Sequence, residues 1–210
     1  MSMEYLSTPL SWSQTRHIIQ TNQLGKFKRS QEQLTKYREH RAKLKQQGIS
    51  SLNKLLSDEL GWVEVDKNYN ILSPTAYALK PSSDKLFNHP DDIKITMNRF
   101  PYNFTSDITH LLVWTKLPIP NDPSSPIGDI SPQTRQIIDT FLEKQFVRNH
   151  GLPKENILWF RNWSELQSIK QFSHIHVLIK DLKADKLREI LQQVPCTLKE
   201  YEYSEASSKL

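Results

Sequence analysis

The chain has 210 residues, 37% hydrophobic and 24% charged with five tryptophans, a composition that supports one main core and argues against disorder over most of its length. A single cysteine, Cys196, excludes an intramolecular disulfide and any all-cysteine zinc site. No apolar run approaches the roughly 18 residues of a membrane span, and the formal charge of +5 is local: Lys26 to Lys45 holds eight Lys or Arg against two Glu.

Such a basic run is most simply the solvated face of a helix. Its functional alternative is a contact with an acidic partner or a phosphate ligand, and nucleic acid is not the expected partner because no reader motif accompanies the charge. The opening MSMEYLSTPLSW has no basic start followed by an apolar stretch. A reducing, cytoplasmic location is therefore expected, with the nucleus as the other option.

In chain order, Ser11 precedes WSQTRHIIQTN as a helix cap, and Ser30 opens QEQLTKYREHRAKLKQQ, which stops at Gly48. Leu34, Tyr37 and Leu44 give that second helix only a narrow apolar stripe. A third helix is expected from Ser51 to Gly61, with Leu52, Leu55, Leu56 and Leu60 on one face. WVEVD then reads as a short strand, and 67–92 as a long loop. Ile93, Ile95 and Met97 alternate with polar residues as a half-buried strand does, and FPYNF at Phe100 to Phe104 follows as a rigid aromatic turn.

HLLVWTK at His110 to Lys116 is a further strand, stopped by Pro118 and Pro120. Ser131-Pro132 begins a helix whose Ile137, Ile138, Phe141, Leu142 and Phe146 face a core. Strands at Ile157 to Phe160 and Ser173 to Ile179 follow, then an amphipathic helix in LKADKLREILQQV. The fold class is α+β: a mainly antiparallel sheet of about five strands with flanking helices over 63–200, a helical extension over 1–62, and a polar tail over 201–210.

The chemistry-bearing stretch is FSHIHVLIK. Residues two apart on a strand share a face, so His174 and His176 project together while Ile175 and Val177 project the other way. Such a pair can bind a metal, contact or attack phosphorus, or sit hydrogen-bonded with no chemistry. A metal would need a third ligand, from His110 or a carboxylate, and no HExxH accompanies the pair, so no metal or other cofactor is expected. A neutral imidazole is a competent nucleophile toward phosphorus. Just upstream, WFRNWSELQSI supplies Arg161, Asn162 and Ser168, which suit a phosphate or ribose, and Trp159 and Trp163, which serve equally as core aromatics.

These residues, with HLLVWTKLPIP, resemble the histidine-triad superfamily of nucleotide hydrolases and transferases over roughly 108–180. The resemblance implies a nucleotide or other phosphorylated small molecule as ligand, His174 as nucleophile with His176 in support, and Asn162, Ser168, Arg161 and His110 on the phosphate side. Where the family has its first triad histidine this chain has Phe172, so hydrolysis is left open beside plain binding. LSWSQTRHIIQTNQLGKFKRS, KYREH, DDIKITMNRFPYNF, ITHLLVWTK, WFRNWSELQSI and HIHVL together are also similar to a fungal family of largely uncharacterised, N-acetylglucosamine-induced-type proteins. That similarity implies that Phe100 and Tyr102 line a pocket with Phe172, Trp159, Trp163 and the histidines. Two readings stand: a triad-like nucleotide binder or hydrolase, and a non-catalytic ligand-binding or interaction protein. The chain is expected to be a monomer or a homodimer and to avoid membranes.

Overall fold

A computed structural model describes residues 4–72, 79–167 and 169–207. The chain divides into two compact units, Met1–Lys80 with Asn98–Ser106, and Pro81–Met97 with Asp107–Leu210.

The first unit carries helices α1 (Trp12–Gln20), α2 (Gln31–Gln46) and α3 (Ser51–Lys54), the last widening into a π turn over Leu55–Glu59. Ser11 makes the reciprocal cap: its Oγ accepts from Gln14 N–H and its own N–H donates to Gln14 Oε1 at 2.9 Å. Ser30 Oγ accepts from Gln33 N–H at 3.2 Å. The third helix begins at Ser51, with the preceding Ser50 as its cap: Oγ accepts from Asn53 N–H at 3.2 Å. Gly48 and Gly61 end α2 and the π turn at φ +68° and +63°, where a Cβ is disfavoured. Within this unit the FPYNF segment packs onto its own helical part. Phe27 is buried between Tyr102 (ring centroids 5.6 Å) and Phe104 (5.5 Å), and Phe100 lies edge-on to Tyr37 at 5.3 Å.

The second unit holds one open, wholly antiparallel sheet of β1 (Ile93–Met97), β2 (Ile108–Thr115), β3 (Ile157–Phe160) and β4 (Ser173–Lys180), in the order β1-β2-β4-β3. Among the described residues the sheet has four strands, not about five. WVEVD contributes only an isolated bridge, Val65 to Ile71. The physical reason is Asp66, whose carboxylate accepts from the N–H groups of Asn68 and Asn70 and turns the chain before a ladder can extend.

Helices α4 (Pro132–Leu142), α5 (Ala184–Gln192) and α6 (Glu200–Ser207) complete this unit. α4 starts where Ser131 caps Thr134 N–H and continues into a π turn, Glu143–Arg148, that Gly151 follows in left-handed conformation. α6 forms inside the segment read as a polar tail, and it is anchored by buried Glu202, which accepts from Lys199 N–H and pairs with Lys144.

The core lies on one face of the sheet. Ile93, Ile95, Leu111, Val113, Ile175, Val177 and Ile179 point there and meet Ile138, Phe141 and Phe146 of α4 with its π turn, Ile190 of α5, and Leu198. Phe87 stacks on Phe141 with ring centroids 4.1 Å apart. Each such side chain contributes about 1.5–3 kcal/mol by leaving water, so this face holds the sheet and helices together. The alternation then forces Lys94, Thr96, His110, Leu112, Trp114, Leu158, Phe160, His174, His176 and Leu178 onto the other face.

Candidate functional site

The register sets the site. His174 lies opposite Trp114, His176 opposite both Leu112 and Phe160, and His110 opposite Leu178, all on the face away from the helical core. His110, His174 and His176 are each buried.

Their hydrogen bonds form a chain. Asn162 Nδ2 lies 3.2 Å from His176 Nε2, and His176 Nδ1 lies 2.9 Å from His110 Nε2. An amide NH₂ only donates, so His176 Nε2 accepts, and a neutral His176 then carries its proton on Nδ1 and donates it to His110 Nε2. One amide thereby sets the tautomers of two imidazoles. Phe160 lies flat on His176, with ring centroids 4.6 Å apart and planes 1° from parallel. Gln167 Nε2 donates to the Asn162 carbonyl at 2.8 Å and fixes the loop that brings Asn162 in.

His174 stands beside this chain, its ring centre 5.4 Å from that of His176 and 4.4 Å from that of Trp114. Its Nδ1 approaches the Phe172 carbonyl at 3.4 Å, a contact only a protonated Nδ1 can make, which leaves the lone pair on Nε2. Burial pushes its pKa down to about 4, against which the Phe172 carbonyl works and to which the nearby Arg161 charge adds. At neutral pH His174 is uncharged and can act as an acceptor or nucleophile.

Arg161 is buried and committed elsewhere. Nη2 donates to Ile119 O (3.1 Å) and Asn121 Oδ1 (2.9 Å), and Nη1 to Gly128 O (3.3 Å), so the guanidinium fastens the loop between β2 and α4. Burial holds its pKa below the usual arginine value, with Asp129 opposing that effect. Asn121 Nδ2 in turn donates to Ser164 Oγ at 2.8 Å, and Gly128 at φ +72° leaves no room for a Cβ beside Ser164.

His110, His174, His176 and Asn162 are thus brought together. Phe172 meets the cluster through its carbonyl. Trp159 does not join it: alternation along β3 puts it on the opposite face, where its indole N–H donates to Asp139 at 2.6 Å. Trp163 is half-buried and its carbonyl accepts from Leu166 N–H. Phe100 and Tyr102 belong to the first unit, and Ser168 lies outside the described residues. Among the described residues no three His, Cys, Asp or Glu side chains are grouped to hold a metal ion, and no helix is long and apolar enough to cross a membrane. Sequence reasoning missed Phe160, Trp114, Gln167 and Asn121. The first two could have been found by carrying period-two alternation through WF and VW.

Fold and site together define an α+β protein whose open antiparallel sheet packs helices on one face and carries a buried histidine cluster on the other. A family model described as "Protein of unknown function (DUF3605)" matches residues 11–180, and the chain belongs to that family. It is 39% identical over 186 residues to N-acetylglucosamine-induced protein 1 of Candida albicans, covering 87% of this chain and 73% of that protein. It is 30% identical over 168 residues to the uncharacterized protein YPL067C of Saccharomyces cerevisiae, covering 80% and 77%. A solved structure titled "Crystal Structure of HTC1" is similar with a TM-score of 0.68 and 27% identity, over 90% of this chain and 99% of that one.

Proposed function

We propose that the protein binds a nucleotide or another phosphorylated small molecule on the histidine-bearing face of its sheet, as a relative of the histidine-triad superfamily. One observation carries this reading: the Asn162–His176–His110 hydrogen-bond chain with neutral His174 beside it. A buried polar network of this size is costly to place opposite an apolar core unless it is put to use. The succession of β2, α4, β3 and β4 is the order the superfamily uses. In a hydrolytic cycle His174 Nε2 would attack phosphorus and expel the leaving group with its bonding pair. Water would then cleave the P–N bond and restore the imidazole.

A specific observation favours the non-catalytic form of the same reading. The Nη donors of Arg161 serve two backbone carbonyls and Asn121, so this cation is held in the scaffold and is not the group that would neutralise a phosphate. The test is thermal shift against nucleoside monophosphates, sugar phosphates and N-acetylglucosamine phosphates, repeated on His174→Ala and His176→Ala. Stabilisation of the wild type that is lost in both variants supports binding. A phosphorus adduct seen by intact mass in the wild type and lost in His174→Ala adds catalysis. No response of the wild type to any of these compounds sinks the proposal.

A further inference from the structure

Helix α2 buries only Leu44 of its sixteen residues. Its outer side forms one edge of a groove of about 630 Å³ within the first unit, floored by half-buried Leu34, Tyr37 and Ile49 and walled by exposed Arg38, Arg41 and Lys45. The three cations stand at i, i+3 and i+7 and so share one side of the helix over about 10 Å.

Two of these cations are uncommitted. Among the described residues neither Arg41 nor Lys45 forms an ion pair, whereas Lys36, on a different side of the helix, pairs with Glu32 at 2.6 Å. Arg41 is held in place, its guanidinium carbon 5.8 Å from the centre of the Tyr37 ring, which Arg29 covers at 4.3 Å. A guanidinium fixed over a ring keeps its N–H groups available for a carboxylate at little ordering cost. Arg38 shows the chemistry in use: Nη2 donates to the carboxylate of Glu4, from the start of the chain, at 2.9 Å. One carboxylate thus already sits on this wall, and among the described residues the next two positions along it pair with none.

We propose that the α2 groove is a docking site for an acidic peptide segment of a partner protein, with carboxylates on Arg41 and Lys45 and a large apolar side chain on the Leu34–Tyr37–Ile49 floor. The apolar floor decides between macromolecules. A nucleic-acid backbone would engage the cations and leave this floor without a partner, whereas a peptide that mixes Glu with Leu satisfies both. The groove lies in the first unit and the histidine cluster in the second.

The test uses the full chain and a fluorescein-labelled twelve-residue probe peptide of Glu and Leu, read by anisotropy at low and at physiological salt, beside a Lys/Leu peptide and a single-stranded RNA oligomer. Saturable binding of the acidic peptide that weakens with salt is expected, with a loss of about tenfold or more in the Arg41→Glu/Lys45→Glu variant. Replacing the peptide's Leu by Ser is expected to weaken it again. A control with equal charge change elsewhere, Lys183→Glu/Arg188→Glu, is expected to bind like wild type. All four positions are exposed, so an unchanged thermal midpoint verifies folding. The proposal is overturned if the acidic peptide does not bind, if RNA binds as tightly, or if the control variant loses as much as the groove variant.

Discussion

His176 on β4 and His110 on β2 are diagonal neighbours on one face of the sheet, with Nδ1 of the first 2.9 Å from Nε2 of the second. Removing one ring leaves the other's nitrogen buried without its partner, which costs more than the bond itself contributes.

His176→Ala therefore combines three losses: the stacked ring on Phe160, the acceptor for Asn162 and the donor to His110. Urea unfolding is expected to register a destabilisation of about 3 kcal/mol. His176→Gln, which can keep a donor and an acceptor, is expected to lose less. An alanine variant as stable as the wild type would show that the chain of bonds is not held in the native state.

Stability should fall in mild acid because of His174. Its folded pKa is depressed to about 4, below the ordinary 6.5, so between those values the unfolded chain binds a proton that the folded chain does not. Above pH 6.5 this group costs no stability, and as pH falls through the window the loss grows to roughly 3 kcal/mol once pH reaches 4. Comparing urea midpoints of wild type and His174→Asn at pH 7.5 and 4.5 isolates it. The variant is expected to show the shallower pH dependence, and parallel curves would contradict the assignment.

At Gly128 the backbone has φ +72°, and an added Cβ would meet Ser164 Oγ at 2.7 Å and Asn121 Nδ2 at 3.1 Å. Gly128→Ala is expected to cost about 2 kcal/mol, from left-handed strain plus displaced hydrogen-bonding groups. Gly48→Ala, at φ +68° with open space around it, pays only the backbone part and is expected to cost about half as much. Thermal or urea unfolding of the two variants ranks them, and equal losses would mean that the contact with Ser164 carries no weight.

Arg161→Lys keeps the charge but not the fork that reaches Ile119 O, Gly128 O and Asn121 Oδ1 together. Faster hydrogen exchange is expected over 119–129, with the β4 amides as protected as before. Uniform loss of protection across the sheet would instead identify Arg161 as part of the global core.

The strands were legible wherever one side of the sheet packs on helices, because burial there enforces alternation: Ile93 and Ile95 in β1, and Ile175 and Val177 between and beyond the two histidines of β4, show it. The helix starts were legible from Ser11, Ser30 and Ser131 because a cap is a local event. Asp66 misled for the same reason in reverse: WVEVD has strand composition, but a neighbouring side chain diverts the backbone. Closeness in sequence to Asn162 suggests Trp159 beside the histidines, but one residue along a strand is a change of face, and Trp159 pairs with Val177 on the core side. The role of Arg161 was out of reach, since its partners lie 33 to 42 residues earlier in sequence, in a turn segment with no periodicity.

The contact from His174 Nδ1 to the carbonyl of Phe172 has a consequence for how this protein can vary. Every amino acid brings the same carbonyl, so the proton on Nδ1 and the open lone pair on Nε2 do not depend on which residue occupies position 172. Substitution there can reshape the neighbourhood of the strand while the protonation pattern of the adjacent imidazole is inherited unchanged through the main chain.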